Sequence, residues 1–212
     1  MRILLYPSFG STVKQWNKMK NIYKDIFGKN TNIDVIEYKI NDAISFNKWK
    51  EIREKKKLIE LSNEYDCIHF ISGGCLIGFN QLNFQKEINC DKFIFDSGPF
   101  FPCPDLTSNY IYNHVNWMPL NTVKPISKLI KSYWINVENM DYEYELKKYN
   151  NWLNNNKKSL CLVNKNDNLL DFNRINNFLI ESDSNVVFFD SKHARLMNEK
   201  EKYYENIKSY LN

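Results

Sequence analysis

The residues best suited to chemistry lie in three short segments. The first is Asp66-Cys67-Ile68-His69-Phe70-Ile71-Ser72-Gly73-Gly74-Cys75, an apolar run ending at a serine and two glycines. A nucleophilic serine has to stand clear of a sheet on a tight turn, and such a turn crowds the backbone and demands small neighbours. Gly73 and Gly74 meet that demand, so the segment reads as strand, sharp turn and helix with Ser72 at the apex. The helix N-terminus behind Ser72 adds a positive dipole, and the Gly73 amide can face a substrate oxyanion. The pattern Gly-x-Ser-x-Gly is half satisfied, because Phe70 holds the place of the first glycine. A phosphate-binding glycine turn is the competing reading. Against it, Gly-x-Gly-x-x-Gly is absent, and Ser-Gly-Gly follows the third expected strand rather than the first.

A serine needs a base, and the chain has 3 histidines. His193 follows the last expected strand in Asp190-Ser191-Lys192-His193, at the same sheet edge as Ser72. His69 sits inside the strand before Ser72 and reads as a packing histidine, while His114 reads as a surface one. The base needs a carboxylate to hold its tautomer and stabilise the imidazolium. Asp167, in the loop Asn164-Lys165-Asn166-Asp167-Asn168 directly after a strand, is favoured; Asp96, at the end of the preceding strand, is the alternative acid. Asp171 and Asp190 read as helix-cap and turn residues. A second oxyanion donor is expected from the loop Tyr6-Pro7-Ser8-Phe9-Gly10-Ser11, through the backbone of Ser8 or Phe9, with Gly10 allowing the close turn.

These residues need a scaffold that brings strand ends together. Short β-branched and aromatic runs alternate with stretches of helical period, the pattern of parallel strands joined by crossover helices. The strands expected are Ile3 to Tyr6, Ile33 to Tyr38, Cys67 to Ile71, Phe93 to Asp96, Ser159 to Val163 and Val186 to Phe189. This predicts a three-layer α/β/α sandwich around a mostly parallel six-stranded sheet, formed as one domain over 1–212. Ser11 and Thr12 can cap a helix with Val13, Trp16, Tyr23 and Phe27 on one face and Gly28 as its stop. Further helices are expected around Trp49, Ile52 and Ile59, just after Ser72 (Leu76, Phe79, Leu82), around Phe172, Ile175 and Leu179, and at the end (Tyr203, Ile207, Tyr210 or Leu211). The charged run Lys50 to Lys57 reads as a solvated face. The segment at about 97–135 breaks the rhythm. It holds Pro99, Pro102, Pro104, Pro119 and Pro125 together with Phe100, Phe101, Tyr110, Tyr112, Trp117 and Met118. It reads as an insertion that is either a lid or pocket wall or a compact packing unit. Phe100, Phe101, Tyr110, Trp117 and Met118 are the expected substrate-pocket residues.

Composition narrows the function classes. The chain has 212 residues, 43% hydrophobic and 15% aromatic, enough for a packed core. Lys plus Arg number 29 against 25 Asp plus Glu, and this net charge of +4 is spread along the chain without a footprint for nucleic acid. The longest apolar runs are far too short to span a bilayer, and Pro7, Ser8 and Gly10 interrupt the opening Ile3-Leu4-Leu5 before it resembles a signal peptide. A cytoplasmic protein is expected. Five cysteines (Cys67, Cys75, Cys90, Cys103, Cys161) cannot all pair, and no Cys-x-x-Cys or His-rich cluster has metal-site spacing. Reduced thiols, no metal and no cofactor are expected. Oligomeric state is not legible.

Taken together, the elbow at Ser72, the Asp167 loop and the His193 loop resemble the α/β-hydrolase superfamily over nearly the whole chain. More narrowly, His69-Phe70-Ile71-Ser72-Gly73-Gly74, Phe95-Asp96-Ser97-Gly98-Pro99 and Ser191-Lys192-His193 resemble the branch typified by transmembrane protein 53. Gly73 stands there in place of that branch's asparagine. The resemblance implies a sheet lacking the first two strands of the full fold, with Ser72 as nucleophile, His193 as base and Asp167 as acid. It also implies a serine hydrolase acting on a carboxylic ester or thioester that carries an apolar group. The alternatives are an inactive binding protein of this fold, or an acyltransferase using the same residues.

Overall fold

The computed structural model describes residues 1–8, 11–36, 60–61, 63–75, 89–98, 108–109, 112–113, 117–129, 141–155, 157–182, 184–194 and 196–212. Six strands, β1 (Arg2–Tyr6), β2 (Asn32–Val35), β3 (Cys67–Ile71), β4 (Lys92–Asp96), β5 (Lys158–Asn164) and β6 (Asn185–Phe189), form one sheet in the order β2-β1-β3-β4-β5-β6. Every pairing is parallel. Parallel strands are covered on both faces, so they carry near-continuous apolar runs; β5 is buried from Ser159 to its end. The second strand is described over Asn32–Val35, and residues 37 and 38 of the expected run to Tyr38 lie outside the described residues. It lies at the sheet edge, and the Ile36 N–H after it donates to Leu5 O at 2.9 Å.

The helices described are α1 (Val13–Phe27), α2 (Leu120–Leu129), α3 (Tyr142–Leu153), α4 (Phe172–Ile180) and α5 (Lys200–Leu211), the last preceded by a 3-10 turn at Leu196–Glu199. One face of the sheet packs Ile22 and Tyr23 of α1 and Tyr203, Ile207 and Leu211 of α5 over Ile3, Leu5, Cys67 and Ile94. The other packs Tyr149 and Trp152 of α3 and Ile175 and Phe178 of α4 over Ile68, Phe70, Phe93 and Phe95. Alternation along each strand divides the two cores. Thr12 is the N-cap of α1, with its N–H donated to Gln15 Oε1 at 2.7 Å, and Gly28 closes the helix at φ 93°. Asp171 caps α4, accepting from the N–H of Asn173 and Arg174.

Two helices were not expected from the sequence. Pro125 stands inside α2, where it offers no N–H to the ladder, in the segment that reads from sequence as an insertion. In α3, Leu146, Tyr149 and Leu153 keep a helical spacing, and Asp141 caps the helix through Tyr144 N–H at 2.9 Å; the flanking asparagine runs obscured both signals. The helix expected around Trp49 to Ile59 falls almost wholly outside the described residues. Of the helix after Ser72, residues 73–75 are described and helical. Among the described residues no helix is long and apolar enough to cross a membrane.

Candidate active site

Ser72 directly follows β3 and takes φ 50°, a left-handed conformation that a residue with a side chain adopts at a cost. Two bonds hold the turn: Ser72 N–H donates to Asp96 O at 2.7 Å and Cys75 N–H to Ser72 O at 2.8 Å. Gly74 has to be glycine. A Cβ at that position falls onto the carbonyl oxygens of Tyr6 and Pro7, the second at 2.8 Å, because the helix start is pressed against the end of β1. Phe70, in the place of the pattern's first glycine, is fully buried in the same core cluster as Cys75. It stacks on Phe95 at 5.4 Å and lies 5.0 Å from Tyr6 between ring centroids, so its bulk is taken up by the core.

Ser72 Oγ lies 2.7 Å from His193 Nε2, and His193 Nδ1 lies 2.7 Å from Asp167 Oδ2. The other carboxylate oxygen of Asp167 accepts from the N–H of Leu169 at 2.8 Å and of Leu170 at 3.1 Å, so the loop's own backbone aims the acid. The Asp167 side chain is 2% exposed and that of His193 13%, which keeps the pair largely out of water while leaving the ring an open edge. A chain of serine hydroxyl, imidazole and buried carboxylate can move a proton off the hydroxyl and hold the resulting positive charge.

Asp96, the alternative acid, is bonded elsewhere. Its Oδ1 accepts from Ser97 Oγ and its Oδ2 from Tyr203 OH, each at 2.6 Å. His69 is fully buried, its Nδ1 2.7 Å from Tyr23 OH and its Nε2 3.7 Å from Asp96 Oδ2. Burial pushes the Tyr23 and Tyr203 phenols well above their ordinary range, and Asp96 adds to both. His114 lies outside the described residues. Asp190 is an exposed turn residue paired with Lys165 at 3.3 Å.

Of the expected oxyanion donors, Gly73 opens the helix after Ser72, Ser8 follows β1 by two residues, and Phe9 lies outside the described residues. Ser8 O accepts from both N–H and Oγ of Ser11, whose Oγ in turn accepts from Trp16 Nε1 at 2.7 Å, so the loop is tied to the first turn of α1. Phe100, Phe101 and Tyr110 lie outside the described residues. Trp117 is 78% exposed and Met118 half-buried, and neither lines the cleft of about 220 Å³ beside the strand ends. That cleft is walled by Ser8, Trp16, Met19, Leu196 and by Ile71 and Ala194, the chain neighbours of Ser72 and His193. The insertion reaches the acid loop instead: Asn109 Nδ2 donates to Leu169 O at 3.2 Å and Asn168 Nδ2 to Asn113 Oδ1 at 2.6 Å.

Sequence reasoning passed over Asn164 and Tyr203. The signal for Asn164 was present, an amide side chain at the end of an otherwise apolar buried strand. The four described cysteines, Cys67, Cys75, Cys90 and Cys161, are free and buried. Among the described residues no group of His, Cys, Asp and Glu is placed to hold a metal ion.

No protein-family model matches the sequence, and no curated protein does. Solved structures do. An esterase from Pyrococcus furiosus superposes with a TM-score of 0.66 at 14% identity, covering 99% of this chain and 81% of that one. A monoacylglycerol lipase from Paleococcus ferrophilus gives 0.65 at 13%, covering 99% and 93%. A hydrolase from Pseudomonas aeruginosa gives 0.64 at 12%, covering 100% and 89%. At such identities the likeness speaks of architecture, and with the all-parallel sheet and its two helical layers it establishes that this chain has the α/β-hydrolase fold.

Proposed function

We propose that the protein is a serine hydrolase that cleaves a carboxylic ester or thioester through an acyl-serine intermediate. The observation that carries this reading is the unbroken line from Ser72 Oγ through His193 to Asp167, with 2.7 Å at both contacts. His193 Nε2 takes the Ser72 proton as Oγ attacks the substrate carbonyl carbon. The carbonyl π pair moves onto oxygen, and Gly73 N–H with a backbone donor from the Ser8–Phe9 loop receives that charge. As the tetrahedral species collapses, the bond to the leaving alcohol or thiol breaks and His193 returns its proton to that group. Water then repeats the sequence on the acyl-serine and releases the acid. Asp167 keeps the proton on Nδ1, so Nε2 is the accepting nitrogen.

The cleft beside Ile71 and Ala194 supports an apolar group on the substrate, since Trp16, Met19 and Leu196 line it. The esterase and lipase neighbours act on carboxylic esters by their names, in keeping with this chemistry. The narrower likeness to the transmembrane protein 53 branch rests on the motifs around Ser72, Asp96 and His193, and adds no substrate.

Incubation with a fluorophosphonate followed by intact-mass spectrometry tests the reading. One adduct is expected on the native chain and none on Ser72→Ala or His193→Ala. A folded native chain that takes no adduct, or a Ser72→Ala variant that still does, overturns it.

A further inference from the structure

Asp96 does two things at once. Its backbone carbonyl receives the Ser72 N–H, and its carboxylate terminates a row of side chains that leads to the histidine loop. Ser191 Oγ donates to Asn164 Oδ1 at 2.7 Å, Asn164 Nδ2 donates to Ser97 Oγ at 2.8 Å, and Ser97 Oγ donates to Asp96 Oδ1 at 2.6 Å. Tyr203 OH closes the far end on Oδ2. Asp96, Ser97, Asn164 and Ser191 are all buried, the most exposed being Ser191 at 6%. Each donor points toward the carboxylate, so each bond polarises the next, and the amide of Asn164 uses both ends. Rotating that amide, or removing either hydroxyl, leaves buried polar atoms without partners. The row crosses from β4 to β5 to the loop after β6, and ends two residues before His193. Ser97 is itself strained at φ 53°, the conformation in which its Oγ meets its neighbour's carboxylate.

We infer that Asp96 is a positioning residue whose carboxylate, acting through Ser97, Asn164 and Ser191, fixes the loop that carries His193 relative to Ser72. This rests on the reading of Ser72 and His193 as the reacting pair. The sequence offered Asp96 as a substitute for Asp167; the geometry makes it the anchor for the loops instead. The residue that fixes the backbone of the serine also fixes, at three removes, the approach of its base.

Ser191→Ala, Asn164→Leu, Asp96→Asn and the double variant Asp96→Asn with Ser191→Ala test this by two readouts. Hydrogen–deuterium exchange over residues 189–194 reads the loop without reference to any reaction, with the β3 peptide as the check on folding. The rate of fluorophosphonate labelling reads the reacting pair. Expected are faster exchange confined to the loop and labelling slowed by about 10- to 100-fold, since small misplacements cost that much. The double variant should lose no more than the worse single one, because both changes cut the same row. Ser191→Thr, which keeps the hydroxyl, should restore both readouts. Native exchange with native labelling in Ser191→Ala and Asp96→Asn overturns the inference. So does slowed labelling with an unchanged loop, which would make the carboxylate act on the chemistry directly. If the native chain never labels but the loop still loosens in the variants, the positioning stands and the hydrolase reading falls. Ser191→Ala removes one oxygen only and serves where Asn164→Leu does not fold.

Discussion

Among the described residues, backbone strain gathers at one edge of the sheet. Ser72, Ser97 and Ala194 are the described non-glycine residues at positive φ: the serine itself and the residues that follow the anchoring aspartate and the histidine. Each costs on the order of 1–3 kcal/mol, so the surrounding bonds have to over-determine them. Asp167→Asn tests the residue opposite His193. It keeps the shape but favours the wrong imidazole tautomer, so labelling is expected to slow by about 10⁴-fold while the thermal transition stays near native. A loss within tenfold would separate Asp167 from the chemistry. Gly74→Ala should instead unfold the protein more readily, by ~1–3 kcal/mol in urea titration, because the methyl has no room between Tyr6 and Pro7 carbonyls. The side chains that meet at this edge were legible in the sequence because suitable residue types are scarce: the chain has 3 histidines, and one follows a strand. The groups that converge on Asp96 were not legible, since Tyr203 reaches its carboxylate, and Asn164 reaches its neighbour Ser97, from elements more than sixty residues away.

At the scale of elements, strands were read well because a parallel sheet demands apolar runs whatever surrounds it. Their neighbours in the sheet follow from crossover connections rather than from local pattern. The helices on the Tyr149 face were read less well. Tyr149 and Trp152 are fully buried, 6.0 Å apart between ring centroids, and Trp152 lies 4.6 Å from Phe93, yet they sit within a polar, asparagine-rich stretch that hides their spacing. This makes α3 a principal support of one helical layer. Trp152→Ala should cost about 3–5 kcal/mol in equilibrium unfolding, and a cost under 1 kcal/mol would show that the layer closes without it. The N-cap of α4 is a lighter matter. Loss of the Asp171 carboxylate in Asp171→Ala should lower stability by ~1 kcal/mol with no change in labelling, because its bonds go to the N–H groups of Asn173 and Arg174 in the helix's own first turn.

For the whole molecule, the same burial that shields the two cores makes the fold sensitive to alkali. Desolvation pushes the Cys90 and Cys161 thiols from 9.0 up to about 12, and raises Tyr23, Tyr149 and Tyr203 well above 10.0. In the unfolded chain these groups ionise near their ordinary values; in the folded chain they keep their protons to much higher pH. The unfolded state therefore binds fewer protons than the native state above about pH 9, and stability falls as pH rises. Their contribution is whole below pH 9 and drains away toward pH 12, at about 1.4 kcal/mol per thiol for each pH unit once the unfolded thiol is ionised. Two thiols alone then remove several kcal/mol by pH 11, a large part of the stability of an ordinary domain. Urea midpoints should be level from pH 7 to 8.5 and fall steeply between 9 and 11, and Cys90→Ala with Cys161→Ala should flatten that fall. A midpoint that stays level to pH 11 in the native chain would mean that water reaches these thiols, and that the two cores are less dry than their packing implies.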